Sequence, residues 1–91
     1  MIRLQLRFIG RVQGVGFRWT ARTIADSLGL TGWVTNEWDG TVLMEVQGRR
    51  ETIDKLIEGL EHGTFINIEQ IEREQIPLVE YERSFKIKDE W

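Results

Sequence analysis

Two stretches of the chain carry residues whose types and spacing suit the binding of a small anion. The first is Gly10-Arg11-Val12-Gln13-Gly14-Val15-Gly16-Phe17-Arg18, in which three glycines run into an arginine. Such a loop costs backbone entropy that a plain connection does not require. Its exposed N–H groups, with the free N–H groups at the start of a following helix, form a cradle for an anion. No Gly-Lys-Ser/Thr follows and the spacing misses G-x-G-x-x-G, so the P-loop and dinucleotide fingerprints are excluded. Arg18 falls in the first helical turn, where the dipole disfavours a cation by about 0.3–1 kcal/mol. A bound anion reverses that sign, and a guanidinium grips two phosphate oxygens in a fixed fork that lysine does not reproduce. The second stretch ends in Asn36, a residue type depleted in strands yet set on an apolar strand face. Its amide must be satisfied by backbone, water or a substrate, because leaving it bare costs about 1–3 kcal/mol. Each feature also has a plainer reading: a tight connection, a solvated arginine and a satisfied core asparagine.

Composition narrows the chemistry further. The 91 residues contain no cysteine and a single histidine, His62, which excludes disulfides, thiolate nucleophiles, sulfur-ligated zinc and multi-histidine metal sites. His62 sits in a charged stretch with no marked serine beside it, so a Ser-His triad is not indicated. The net charge of −3 is unevenly placed. Residues 1–36 hold five arginines against Asp26 alone, a balance of +4, while residues 37–91 hold seven basic and fourteen acidic side chains, a balance of −7. A basic first third in an acidic chain suits one small anion better than a nucleic acid. No apolar run approaches a membrane span and no signal-peptide pattern precedes the first strand, so a cytoplasmic chain is expected.

The elements that must position these residues follow from periodicity. Ile2, Leu4, Leu6 and Phe8 alternate with Arg3, Gln5 and Arg7, the pattern of a strand with one buried face. Ala21, Ile24, Ala25 and Leu28 mark a helix over about 18–28, closed by Gly29. Strands near 31–37 and 41–47 are joined by Trp38-Asp39-Gly40, with Gly40 left-handed, pairing Asn36 with Val42 and Val34 with Met44. A second helix reads Ile53, Leu56, Ile57, Leu60, and Gly63 is expected to close it as its C′ residue. Strands at 65–71 and about 83–88 follow, separated at Ile76-Pro77. The order β-α-β-β-α-β predicts one α+β domain over residues 1–91: a ferredoxin-like two-layer sandwich, its antiparallel sheet carrying both helices on one face. In that topology the first and third strands pair centrally, so the glycine loop, Arg18 and Asn36 meet at one corner.

Gly10 to Arg18, with Gly32-Trp33-Val34-Thr35-Asn36 and Asp39-Gly40-Thr41-Val42, resembles the two signature blocks of the acylphosphatase family. The likeness is dense over these blocks; the other half of the chain agrees in length and element order. The resemblance implies hydrolysis of the carboxyl-phosphate bond of small acylphosphates, with no cofactor and with inorganic phosphate as product and competitive inhibitor. It assigns the catalytic arginine to Arg18, the catalytic asparagine to Asn36, and the phosphate loop to Gln13, Gly14, Val15, Gly16 and Phe17. Two positions depart from the family pattern. Glu37 replaces a small hydroxyl residue found in some relatives, and His62-Gly63-Thr64 stands where many have Gly-Pro. Alternation turns Glu37 away from Asn36, which points to an effect on substrate preference or pH response.

Two other readings use the same residues or the same fold. A single-stranded RNA module shares the element order but stacks bases on sheet aromatics. Here the outward positions Arg3, Gln5, Arg7, Thr41, Leu43 and Glu45 hold none. A sensor that binds a small anion without turnover differs only in lacking hydrolysis. A monomer is expected, with Trp38 and Trp91 as surface aromatics and His62 as a partner of the second helix's C-terminal dipole.

Overall fold

The computed structural model describes residues 1–88. Strand β1 (Ile2–Arg11) leads through the glycine loop to helix α1 (Phe17–Leu28), then come β2 (Thr31–Asn36) and β3 (Val42–Gly48). Helix α2 (Arg50–Glu61), β4 (Asn67–Ile76) and the short β5 (Phe85–Ile87) complete the chain, and the sheet order is β4-β1-β3-β2-β5. Leu4, Leu6 and Phe8 from β1 join Val34, Val42, Met44 and Val46 in one buried cluster with Ala21 and Ala25 of α1 and Ile53, Leu56, Ile57 and Leu60 of α2. Both periodicities read from the sequence thus close on a single core, which gives the ferredoxin-like two-layer arrangement.

The β2–β3 hairpin has the expected register, Asn36 opposite Val42 and Val34 opposite Met44, with Gly40 at φ +92°. Asp39 Oδ1 accepts from the Thr41 hydroxyl at 2.7 Å and the Thr41 amide at 3.0 Å, and these bonds hold the Asp39 carboxyl below its ordinary value. Trp38 at the tip is exposed; Trp91 lies outside the described residues. Gly29 ends α1 in the left-handed conformation. Helix α2 ends otherwise: His62 is its cap at φ −92° and its Nδ1 lies 2.8 Å from the Glu58 carbonyl, while Gly63 is not left-handed.

Three further features differ from the sequence expectation. Strand β4 runs on to Ile76 rather than stopping near 71, because its backbone pairs with β1 along the whole edge from Arg11↔Asn67 to Arg3↔Ile76. The polar residues between Ile71 and Ile76 show no hydrophobic period because most of that edge faces solvent. Gly10 belongs to β1, where the register with β4 shifts, and a Cβ there would lie 2.3 Å from the Asn67 carbonyl oxygen. Finally, β5 joins the otherwise antiparallel sheet in parallel with β2, pairing Gly32↔Phe85 through Val34↔Ile87. Its direction follows from the path of residues 77–84. They leave β4 at the end of the sheet where β1 and β2 begin, cross it, and start β5 from that same end.

That crossing is held by Arg3, a charged residue only 2% exposed. Its guanidinium donates to Glu82 at 2.7 and 3.2 Å, to Glu45 at 2.9 Å and to Gln47 at 3.2 Å. Burial works against both charges. The mutual hydrogen bonds and attraction outweigh it, so Arg3 is held above its ordinary value and the Glu82 carboxyl below, the latter helped by Thr31 and Lys88. A lowered carboxylate contributes stability that is present above its ordinary value and is lost as pH falls through the folded value. Glu82→Gln is therefore expected to lower stability by about 1–3 kcal/mol at neutral pH. The difference from the parent should narrow as pH falls below the ordinary carboxylate range, and urea unfolding at pH 7 and pH 3 measures the trend.

Candidate active site

The loop between β1 and α1 is pinned at both ends. Val12 and Phe17 are 1% and 2% exposed, and the Phe17 ring packs on Phe8 with centroids 4.9 Å apart and planes at 58°. Between these anchors Gly14 and Gly16 take left-handed φ values of +74° and +78°. A Cβ at either would meet no atom of the described residues within 4 Å. The glycines are thus required by backbone conformation, and the space above them is open to a ligand. Left-handed residues in such a loop are the backbone requirement of an anion nest.

Gly16 is the N-cap of α1, which has no side-chain cap and no acidic residue in its first turn. The first helical bond runs from the Thr20 amide to the Gly16 carbonyl at 3.0 Å. The amides before it have no acceptor within the helix, so they and the positive end of the dipole face the concavity.

A cleft of about 310 Å³ opens at this corner. Of the residues predicted from sequence, it brings together Gly14, Gly16, Phe17, Arg18 and Asn36. Asn36 is the last residue of β2, half-buried, with its Oδ1 buried; Arg18 is half-buried in the first turn of α1. Val12, Trp19 and Ile87 line the cleft as well.

The side chains of Gln13 and Val15 are turned to other uses. Val15 packs against the core. The Gln13 side chain serves as a brace: its Nε2 donates to the carbonyls of Glu37 at 2.7 Å and Thr41 at 2.9 Å. Those carbonyls flank the β2–β3 turn, so the brace ties the glycine loop to the strand end that carries Asn36. No local pattern announces this contact, because it joins residues 24 and 28 positions apart. Ile87 was equally hidden, since its place depends on the direction of β5.

Glu37 falls on the opposite side of the sheet, as alternation requires. Its carboxylate lies 3.8 Å from Arg7, which also donates to the Thr41 hydroxyl at 2.8 Å. The outer positions of β1 and β3 carry Arg3, Gln5, Arg7, Leu43 and Glu45, so the two central strands offer no aromatic platform for bases. A larger concavity, about 530 Å³, lies beneath the 77–84 crossing beside Arg3, Trp33 and Glu82. It contains none of the candidate residues, and its buried guanidinium is already committed to carboxylates.

A glycine loop, a helix N-terminus, an arginine and an asparagine thus converge on one cleft of a ferredoxin-like α+β sandwich. The acylphosphatase family model matches residues 4–87. An acylphosphatase of Clostridium acetobutylicum is 40% identical over 88 residues, covering 96% of this chain and 97% of its own. Another from Clostridium beijerinckii is 37% identical over 89 residues, covering 97% and 99%. The crystal structure of acylphosphatase from Bacillus subtilis aligns with a TM-score of 0.89 at 31% identity, covering 98% of this chain and 100% of that one. The chain belongs to the acylphosphatase family and is a hydrolase of that class.

Proposed function

We propose that the protein hydrolyses small acylphosphates to carboxylate and inorganic phosphate at the cleft between the glycine loop and Asn36. The observation that carries this reading is the convergence of Gly14, Gly16, Arg18 and Asn36 on one open concavity. In the proposed complex the phosphate sits against the backbone N–H groups of residues 13–17, Gln13 contributing its backbone while its side chain stays a brace. Arg18 takes two phosphate oxygens with its guanidinium. Asn36, at the floor, holds the attacking water.

An acylphosphate is a mixed anhydride whose leaving carboxylate has a pKa of about 4 and departs without a general acid. Phosphoryl transfer asks the protein chiefly to align the reactants and to neutralise charge on the equatorial oxygens. Asn36 accepts a hydrogen bond from the water at Oδ1 and turns its lone pair toward phosphorus. The water oxygen forms the new P–O bond as the bond to the acyl oxygen breaks, and a phosphate oxygen accepts the water's proton. The products are inorganic phosphate and the free carboxylate, with no covalent enzyme intermediate.

Steady-state hydrolysis of benzoyl phosphate tests the reading. Turnover is expected with inorganic phosphate as a competitive inhibitor, raising KM and leaving kcat unchanged. Phosphate binding without turnover would identify an anion sensor instead, and inhibition that lowers kcat alone would move the phosphate site out of the substrate cleft.

A further inference from the structure

The cleft is graded from a polar floor to an apolar mouth. Asn36 Oδ1 is buried at the floor. Trp19, one residue past Arg18 in the first turn of α1, lines the same cleft yet is 63% exposed. Val12 and Phe17 are consumed by the core. Among the described residues, apart from the half-buried Ile87, the indole is the apolar surface that the cleft presents to a ligand. Its ring faces offer nothing to a phosphate, which is recognised by N–H groups and cations, and a single edge N–H is all the indole could donate.

In-line displacement sets the leaving oxygen opposite the attacking water. With the water at buried Asn36, the acyl group must point outward, along the wall that Trp19 forms.

We propose that Trp19 recognises the hydrocarbon part of the substrate, giving the enzyme a preference for aromatic or extended apolar acyl groups over acetyl phosphate. This rests on the phosphate-site reading above. An indole supplies a large rigid contact at low entropic cost, with only two side-chain torsions to fix. Its contact with the acyl group persists from the bound substrate to the transition state. Such uniform binding appears in KM and not in kcat.

The experiment compares the parent, Trp19→Ala and Trp19→Phe on benzoyl phosphate and acetyl phosphate. In Trp19→Ala the ratio of kcat/KM for benzoyl over acetyl phosphate is expected to fall about ten-fold, as for a lost aromatic contact, through the KM for benzoyl phosphate. Trp19→Phe should restore most of it. An unchanged ratio, or an equal loss on both substrates as a folding defect would give, overturns the assignment. If the parent hydrolyses neither substrate, the phosphate-site reading fails and the assignment falls with it, an outcome distinct from a parent that turns both over with no dependence on Trp19.

Discussion

Arg18→Ala is expected to lower kcat/KM for benzoyl phosphate by about 10³-fold or more, the scale seen when an arginine that neutralises a transferring phosphoryl group is removed. Two effects combine in that loss. The guanidinium fork fixes the orientation of the phosphate, and its charge offsets the negative charge spread over the equatorial oxygens in the transition state. Circular dichroism and urea unfolding of the variant separate this loss from any change in the fold. Arg18→Lys should recover little, since an ammonium restores the charge without the planar pair of donors. Parent-like turnover in a folded Arg18→Ala protein would sink the proposed mechanism.

Asn36→Ala is expected to lower kcat by about 10²-fold, equivalent to about 2.7 kcal/mol in the barrier. The KM for the same substrate should change by less than about three-fold, because an interaction made with the attacking water and not with the phosphate is expressed in the transition state. The split between kcat and KM separates this role from substrate binding. Asn36→Asp is a sharper variant: it keeps the acceptor oxygen but adds a negative charge beside a bound anion, so KM should rise as well. A large KM effect in Asn36→Ala with kcat preserved would reassign Asn36 to phosphate binding.

The legibility of this site in the sequence was uneven, for physical reasons. The alternation of Ile2, Leu4, Leu6 and Phe8 and the helical spacing of Ile53, Leu56, Ile57 and Leu60 are local, and each predicted an element whose apolar face enters the core. The three-residue turn around Gly40 was readable because only one register puts Val34, Val42, Met44 and Val46 on one face. Arg18 and Asn36 stood out by breaking local preferences, a cation at a helix start and an amide on an apolar face. Their convergence depended on strand order, and the cleft contains both.

What escaped is what long-range contact decides. Gly10 looked like part of the cradle because a glycine in a β1 bulge has the same letter as one in a nest, and only the approach of the Asn67 carbonyl distinguishes them. The place of Gln13 in the loop said nothing of its side chain, whose amide meets carbonyls across the β2–β3 turn. Arg3 read as one more outward residue of an alternating strand. The 77–84 crossing covers it, turning a surface position into a buried ion pair with Glu82. That crossing also delivers β5 beside β2 and so sets Ile87 in the wall of the cleft.

The central claim is that water bound at Asn36 attacks phosphorus while the loop and Arg18 hold the phosphoryl group. Hydrolysis of benzoyl phosphate in water enriched with oxygen-18, followed by mass spectrometry of both products, tests it most directly. The account predicts one labelled oxygen in the inorganic phosphate and none in the benzoate. Label in the benzoate would show attack at the carbonyl carbon and would contradict the account.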